Sequence, residues 1–348
     1  MKEFLHKIVK IFLILLLLTA AITIAVVGVV YFNHQTKLKE ESSLVETPPG
    51  QMVEVDGHQM HVYIAGDEKA KHTIVFIHGN NMTDDSIAMQ PLFRELSADY
   101  RIVYVDRPGN GYSEGGCKDK SVKNLTEETR EAVNKAGVDG KVILFAQTTG
   151  GIEATYWASQ YPDEVESIIG LDMYSLKEYE SDEGEDMGFR YMLYLFARTG
   201  IIRHVDSVYP TDSYDLYTDK EMLIRKALIS KTTYSKDIYE EDKMIGENAR
   251  ATDQESVYGK TPMFLVFSNP IKEPYLSTDS SAREDLKKMQ ESYPDYDFEK
   301  AYNEKRMEYF SKYDNVECIE MAGPSALYTY DPVGLASRIH EYIEKRTN

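Results

Sequence analysis

From residue 73 onward, short apolar runs rich in β-branched and aromatic residues alternate with stretches of helical period, and few folds accommodate that alternation. Thr73-Ile74-Val75-Phe76-Ile77 reads as a buried strand, with a helix over about 86–96 after it. Ile102-Val103-Tyr104-Val105 is the next strand, followed by a charged helix over about 121–136. Residues 141–145 and 165–171 are two further strands, with a helix over about 150–160 between them. Strands joined through helices lie parallel and are covered by helices on both faces. Ahead of them, residues 52–65 alternate with period two around Asp56-Gly57, the signature of a hairpin.

The alternation stops at about residue 173. Up to about 260 the chain is helical, Tyr-rich and acidic. The sheet then resumes at 262–267, passes a charged helical stretch over about 280–313, adds a strand at 316–321, and ends on an amphipathic helix over 332–345. An insertion between two strands of a parallel sheet falls over their carboxyl ends, where ligands bind. Residues 173–260 are therefore expected to form a cap over a cleft.

The N-terminus has a different character. From Ile11 to Phe32 run 22 positions without a charge. As a helix they span about 33 Å, enough for a hydrocarbon core of about 30 Å. The run is longer than a signal peptide's apolar region of about 7–15 residues, and Ala20-Ala21 fall in its middle, so a retained signal anchor is expected rather than cleavage. Lys2, Lys7 and Lys10 precede it, which favours a cytoplasmic tail over 1–10 and an extracytoplasmic domain. The expected order is a tail, a span over 11–32, a polar linker over 33–51 closing on Thr47-Pro48-Pro49-Gly50, and one domain over 52–348 in the cell envelope.

Lys and Arg number 39 against 58 Asp and Glu, a net charge of −19, which repels phosphate backbones and argues against nucleic-acid binding. Cys117 and Cys318 lack metal-ligand spacing, and two ordinary thiols are expected; no metal and no cofactor is read from the sequence. The acidic run Glu178, Glu180, Asp182, Glu183, Glu185, Asp186 lacks the EF-hand spacing and reads as a solvated cap loop. The sequons at Asn81 and Asn124 matter only in a glycosylating host.

Three motifs follow successive strands. They are His78-Gly79-Asn80, Asp106-Arg107-Pro108-Gly109-Asn110-Gly111-Tyr112-Ser113, and Ala146-Gln147-Thr148-Thr149-Gly150-Gly151, which opens a helix. In this order and context the chain resembles the α/β-hydrolase superfamily, in its capped esterase and peptidase-like branch. The resemblance implies an α/β-hydrolase fold with a mostly parallel sheet, helices on both faces and a helical cap, here behind one transmembrane helix.

It also implies four catalytic parts. The nucleophile elbow G-x-S-x-G corresponds to Ala146-Gln147-Thr148-Thr149-Gly150, which puts Thr148 at the nucleophile position. The elbow residue takes φ > 0, which is costly for a β-branched side chain. The base is a histidine after the last strand, but the loop Gly323-Pro324-Ser325-Ala326 carries Ser325 there, and a hydroxyl cannot accept a proton at neutral pH as imidazole does. For the acid, Ser268-Asn269-Pro270 replaces the usual Asp, and Asp172 fits the alternative position one strand earlier. The oxyanion hole is implied at the backbone N–H groups of Asn80 or Asn81 and of Thr149.

Three readings follow. The first is a membrane-tethered pseudoenzyme that binds a small molecule or peptide in the cleft under its cap. The second is a working ester or amide hydrolase with Thr148 as nucleophile and His204 or a water as base. The third is a scaffold module of an envelope complex, with the Tyr-rich cap as contact surface.

Overall fold

The computed structural model describes residues 2–79, 86–180, 187–205 and 214–347. One eight-stranded sheet runs in the order β1-β2-β4-β3-β5-β6-β7-β8. Its strands are β1 (Gln51–Val55), β2 (His58–Ala65), β3 (Thr73–Ile77), β4 (Arg101–Val105), β5 (Val142–Gln147), β6 (Val165–Leu171), β7 (Met263–Asn269) and β8 (Val316–Ala322). β1 pairs antiparallel with β2, and β2 with β4; the pairs from β4 through β3, β5, β6 and β7 to β8 are parallel. Asp56 and Gly57 take φ of 44° and 80° and close the β1–β2 hairpin, the geometry its twist requires.

Helix α1 spans Lys2–Glu41; the sheet is served by α2 (Gln90–Leu96), α3 (Val122–Lys135) and α4 (Gly150–Gln160). Between β6 and β7 lie α5 (Leu176–Glu180), α6 (Met187–Thr199), a 3-10 turn over Ile201–His204, α7 (Asp219–Thr232), α8 (Lys236–Asp242), α9 (Ile245–Arg250) and α10 (Gln254–Tyr258). Then come α11 (Tyr275–Thr278), α12 (Ser280–Ser292), α13 (Phe298–Phe310), α14 (Leu327–Tyr330) and α15 (Pro332–Thr347). The helical insertion expected over 173–260 is this run from α5 to α10.

Because β3 to β7 are sandwiched, their side chains alternate between two apolar cores. Val75, Ile77, Val103, Leu144 and Leu265 meet Ala132, Trp157, Val257 and Phe310 on one face. Ile74, Phe76, Ile102, Phe145 and Val266 meet Leu92, Phe93, Leu335 and Ile339 on the other. This two-sided burial explains why the strands read as continuous apolar runs.

Three boundaries differ from expectation. α2 begins at Gln90 rather than 86, because Pro91 sits in its first turn, where its fixed φ suits a helix start. The charged stretch over 280–313 is two helices, divided by Tyr293-Pro294-Asp295. The linker expected from residue 33 is helical as far as Glu41, and the chain leaves the helix only toward Thr47-Pro48-Pro49-Gly50.

Candidate functional site

Two tight turns at the carboxyl ends of neighbouring strands form the site. β5 ends at Gln147, Thr148 takes φ of +45°, and α4 starts at Gly150. Left-handed backbone at a β-branched residue costs about 1–3 kcal/mol, so packing must hold the turn. Thr148 N–H donates to Leu171 O at 3.0 Å, which ties the turn to the end of β6, and Gly151 N–H donates to Thr148 O at 3.0 Å. From β3, Gly79 presses against the same turn. A Cβ there would meet the Thr148 hydroxyl and lie 2.8 Å from Thr149 Oγ1 and 2.9 Å from Gln147 O. Only glycine lets this loop and the elbow approach so closely.

Asp172, directly after β6, takes φ of 49° and is 5% exposed. Its Oδ1 accepts the Ser268 N–H at 2.8 Å and its Oδ2 accepts the Ser268 hydroxyl at 2.6 Å. Burial raises its pKa above the ordinary carboxylate value, against the hydrogen bonds from Ser268 and the charge of Arg306. Arg306 lies on α13, its guanidinium 3.8 Å from the Tyr174 ring centre and 5.5 Å from that of Phe267. On the same helix Asn303 donates to Ser268 O at 3.0 Å and to Glu320 Oε2 at 2.9 Å. The inner edge of α13 therefore closes over the ends of β6 and β7. No sequence motif marks Asn303 or Arg306, which sit in a charged stretch of helical period.

The structure brings Thr148, Thr149, Gly79 and Asp172 together at the carboxyl ends of β3, β5 and β6. Ser325, on the loop after β8, is exposed. His204 is exposed in the 3-10 turn beside α1. Asn80 and Asn81 lie outside the described residues, as does the acidic run from Asp182 to Asp186. His78 is 1% exposed, stacks on Tyr104 at 5.4 Å, and has its Nδ1 2.8 Å from Gly79 O.

The Asp106–Ser113 motif builds the wall behind the site. Asp106 Oδ2 accepts the Tyr112 N–H at 2.9 Å, and Ser113 Oγ donates to Asp106 O at 2.7 Å. His61 sets its Nδ1 2.7 Å from Asp106 Oδ2 and its Nε2 on Pro49 O, two acceptors for one ring. Burial opposes charging His61, but the Asp106 carboxylate and the Pro49 carbonyl outweigh it and raise the pKa. Arg107 reaches three elements at once. It donates to His78 O at 3.2 Å, to Glu153 Oε2 of α4 at 2.6 Å, and to Glu241 Oε1 of α8 at 2.5 Å. Asp237 of α8 adds a second tie, accepting Lys120 Nζ at 2.8 Å and the Gly116 N–H at 3.1 Å. A cavity of about 20 Å³ lined by Arg107, Thr149, Glu153 and Glu241 lies behind the elbow, room for one water.

The profile of the alpha/beta hydrolase fold matches residues 72–256, a span that includes the elbow, the Asp106–Ser113 loop and most of the cap. The chain belongs to the α/β-hydrolase family. The uncharacterized protein YbdG of Bacillus subtilis (strain 168) is 28% identical over 351 residues, covering 98% of each chain. Epoxide hydrolase 1 of Caenorhabditis elegans is 29% identical over 140 residues, 39% of this chain and 33% of that one. Among solved structures, a thermophilic esterase from Thermogutta terrifontis superposes with a TM-score of 0.57 at 15% identity, covering 85% of this chain and 99% of that one. Cys117 and Cys318 are separate free thiols, both partly buried, and burial pushes each pKa up to about 12.

Proposed function

We propose that this α/β-hydrolase-fold protein is held at a membrane by α1 and uses its cleft to bind a small molecule or peptide, without triad turnover. One observation carries the reading. Both oxygens of the Asp172 carboxylate accept from Ser268, while the loop after β8 offers an exposed Ser325 hydroxyl where the family's imidazole would stand. An acid with no imidazole to orient does no proton relay. Disabling serine or histidine costs about 10⁶ in turnover and leaves roughly 10³–10⁴ over water from binding and oxyanion stabilisation. The packed elbow, the Gly79 approach and the α4 N-terminus support retained binding of a carbonyl or carboxylate oxygen.

The tether reading is supported by the span in α1, whose mean hydropathy is 2.9 and which is not buried by the rest of the chain. A second reading, a slow hydrolase with Thr148 as nucleophile, is favoured by the φ of +45° at Thr148, the backbone an elbow needs. The test is hydrolysis of short and medium acyl nitrophenyl esters by the full-length protein in nanodiscs, beside Thr148→Ala. Equal rates near the buffer background are expected; turnover abolished by Thr148→Ala would establish the second reading instead.

A further inference from the structure

The exposed apolar side chains of the cap gather on the elements that touch α1. Outside α1, the exposed Leu, Val, Ile, Met and Phe side chains among the described residues lie on α6, on α7 or at Val205, just past the 3-10 turn; the exceptions are Met52, Met289 and Val333. α6, α7 and the 3-10 turn all pack against α1. On α6, Met192, Leu195 and Phe196 recur at i, i+3 and i+4 and are 37%, 44% and 41% exposed, whereas Ala197 on the far side is buried. Leu223 of α7 is 55% exposed. Apolar side chains exposed together on neighbouring elements of a chain of net charge −19 mark a binding surface.

The height of this surface along α1 is set by one contact. His34 is 3% exposed and lies so close to Gly200 that a Cβ on Gly200 would sit 2.5 Å from its Cγ. Phe32, the last residue of the apolar run, is two residues before His34, roughly 3 Å along the helix axis. Leu195 and Phe196 are four or five residues before Gly200, at most roughly 8 Å away along α6. Whichever way α6 points, these side chains lie within roughly 10 Å of the level at which the apolar span ends. The headgroup layer on each side of the hydrocarbon core is about 5–8 Å thick, so long side chains at that level reach it.

We infer that α6 rests on the lipid bilayer that holds α1, so that the cap rides on the membrane surface with Leu195 and Phe196 in the interfacial layer. This rests on the reading of α1 as a membrane span. The charge geometry agrees: the two cations beside α6 are held by protein partners, Arg203 in a bidentate pair with Glu41 at 2.6 and 2.7 Å and Arg198 donating to Thr233 O at 2.8 Å.

The test uses full-length protein in phosphatidylcholine nanodiscs with and without brominated acyl chains, carrying Leu195→Trp or, separately, Phe196→Trp. The native Trp157 is 3% exposed and adds a constant background. Val333→Trp, at a 60% exposed position on α15, is the control away from α1, and Phe32→Trp reports on the span itself. Brominated lipid is expected to quench the added emission of Leu195→Trp and Phe196→Trp at least about twofold, with Val333→Trp unchanged. If both α6 reporters are quenched no more than Val333→Trp while Phe32→Trp is quenched, the inference is overturned and the span stands. If Phe32→Trp is not quenched either, the span fails and the inference falls with it.

Discussion

Asp172 illustrates how a site residue is maintained against stability. Its carboxylate is buried and its pKa is raised, so folding disfavours the charged form. The sign follows from linkage. The stability this carboxyl contributes is fully present below its unfolded pKa of about 3.9 and is lost as pH rises through its higher folded value. At neutral pH the ionised group is a net cost, which Asp172→Asn removes, since an amide oxygen still accepts the Ser268 N–H. The substitution is expected to raise Tm by about 2 °C at pH 7 and to leave residual ester hydrolysis unchanged. A working triad would instead lose turnover by about 10⁴ on the same change. Calorimetry and the nitrophenyl ester assay on one preparation separate these outcomes. The position of Thr148 was legible because the elbow motif names it, and that of Asp172 only as the alternative to the end of the next strand. Arg306 and Asn303 were not, because their role depends on where α13 crosses β7, a contact that helical period alone does not encode.

At the scale of elements, the fold is joined around Arg107. Its guanidinium serves the His78 carbonyl, Glu153 of α4 and Glu241 of α8, and no side chain of the two ion pairs is more than 10% exposed. Desolvation opposes the charge on Arg107, but the two carboxylates outweigh it and raise its pKa further. Arg107→Met would leave two buried carboxylates without a cation and is expected to cost about 3–5 kcal/mol in denaturant unfolding. Glu241→Gln, which keeps the cation paired with Glu153, is expected to cost less. A loss under about 1 kcal/mol for Arg107→Met would mean that the cap is held by its other contacts. The parallel strands and the α4 helix were readable to within two residues, because a buried parallel strand has an uninterrupted apolar run bounded by turn residues. The Asp-Arg-Pro-Gly motif was readable as a family mark, but its partner Glu241 was not, since the pair is 134 residues apart in the chain.

At the scale of the molecule, α1 is both the apolar run and a docking element. Arg203 and Glu41 pair at 2.6 Å with side chains 8% and 24% exposed, and Arg203 Nε donates to His34 Nδ1 at 2.8 Å. Sequence period alone ended the expected span at Phe32 and missed this extension, because residues 33–41 look like any solvated polar segment until the cap is placed beside them. Protein lacking residues 2–32 keeps both partners of Arg203, whereas protein lacking 2–41 loses them. The longer deletion is expected to lower stability by about 2 kcal/mol relative to the shorter one, read as a drop in Tm of about 4–8 °C. Equal melting of the two would show that the dock contributes nothing.

An unbroken helix also fixes an azimuth. The backbone from the apolar run into the cap contacts at His34 and Glu41 is helical throughout, with no glycine or proline after Gly28 until Pro48. Each residue advances about 100° around the axis, so on the proposed reading of α1 as a span, the face it shows to neighbouring helices is phase-locked to the direction in which the cap lies. A tethered domain on a flexible stalk samples every bearing. On the proposed reading this one points a single way, and a partner that grips the helix would also steer the cap.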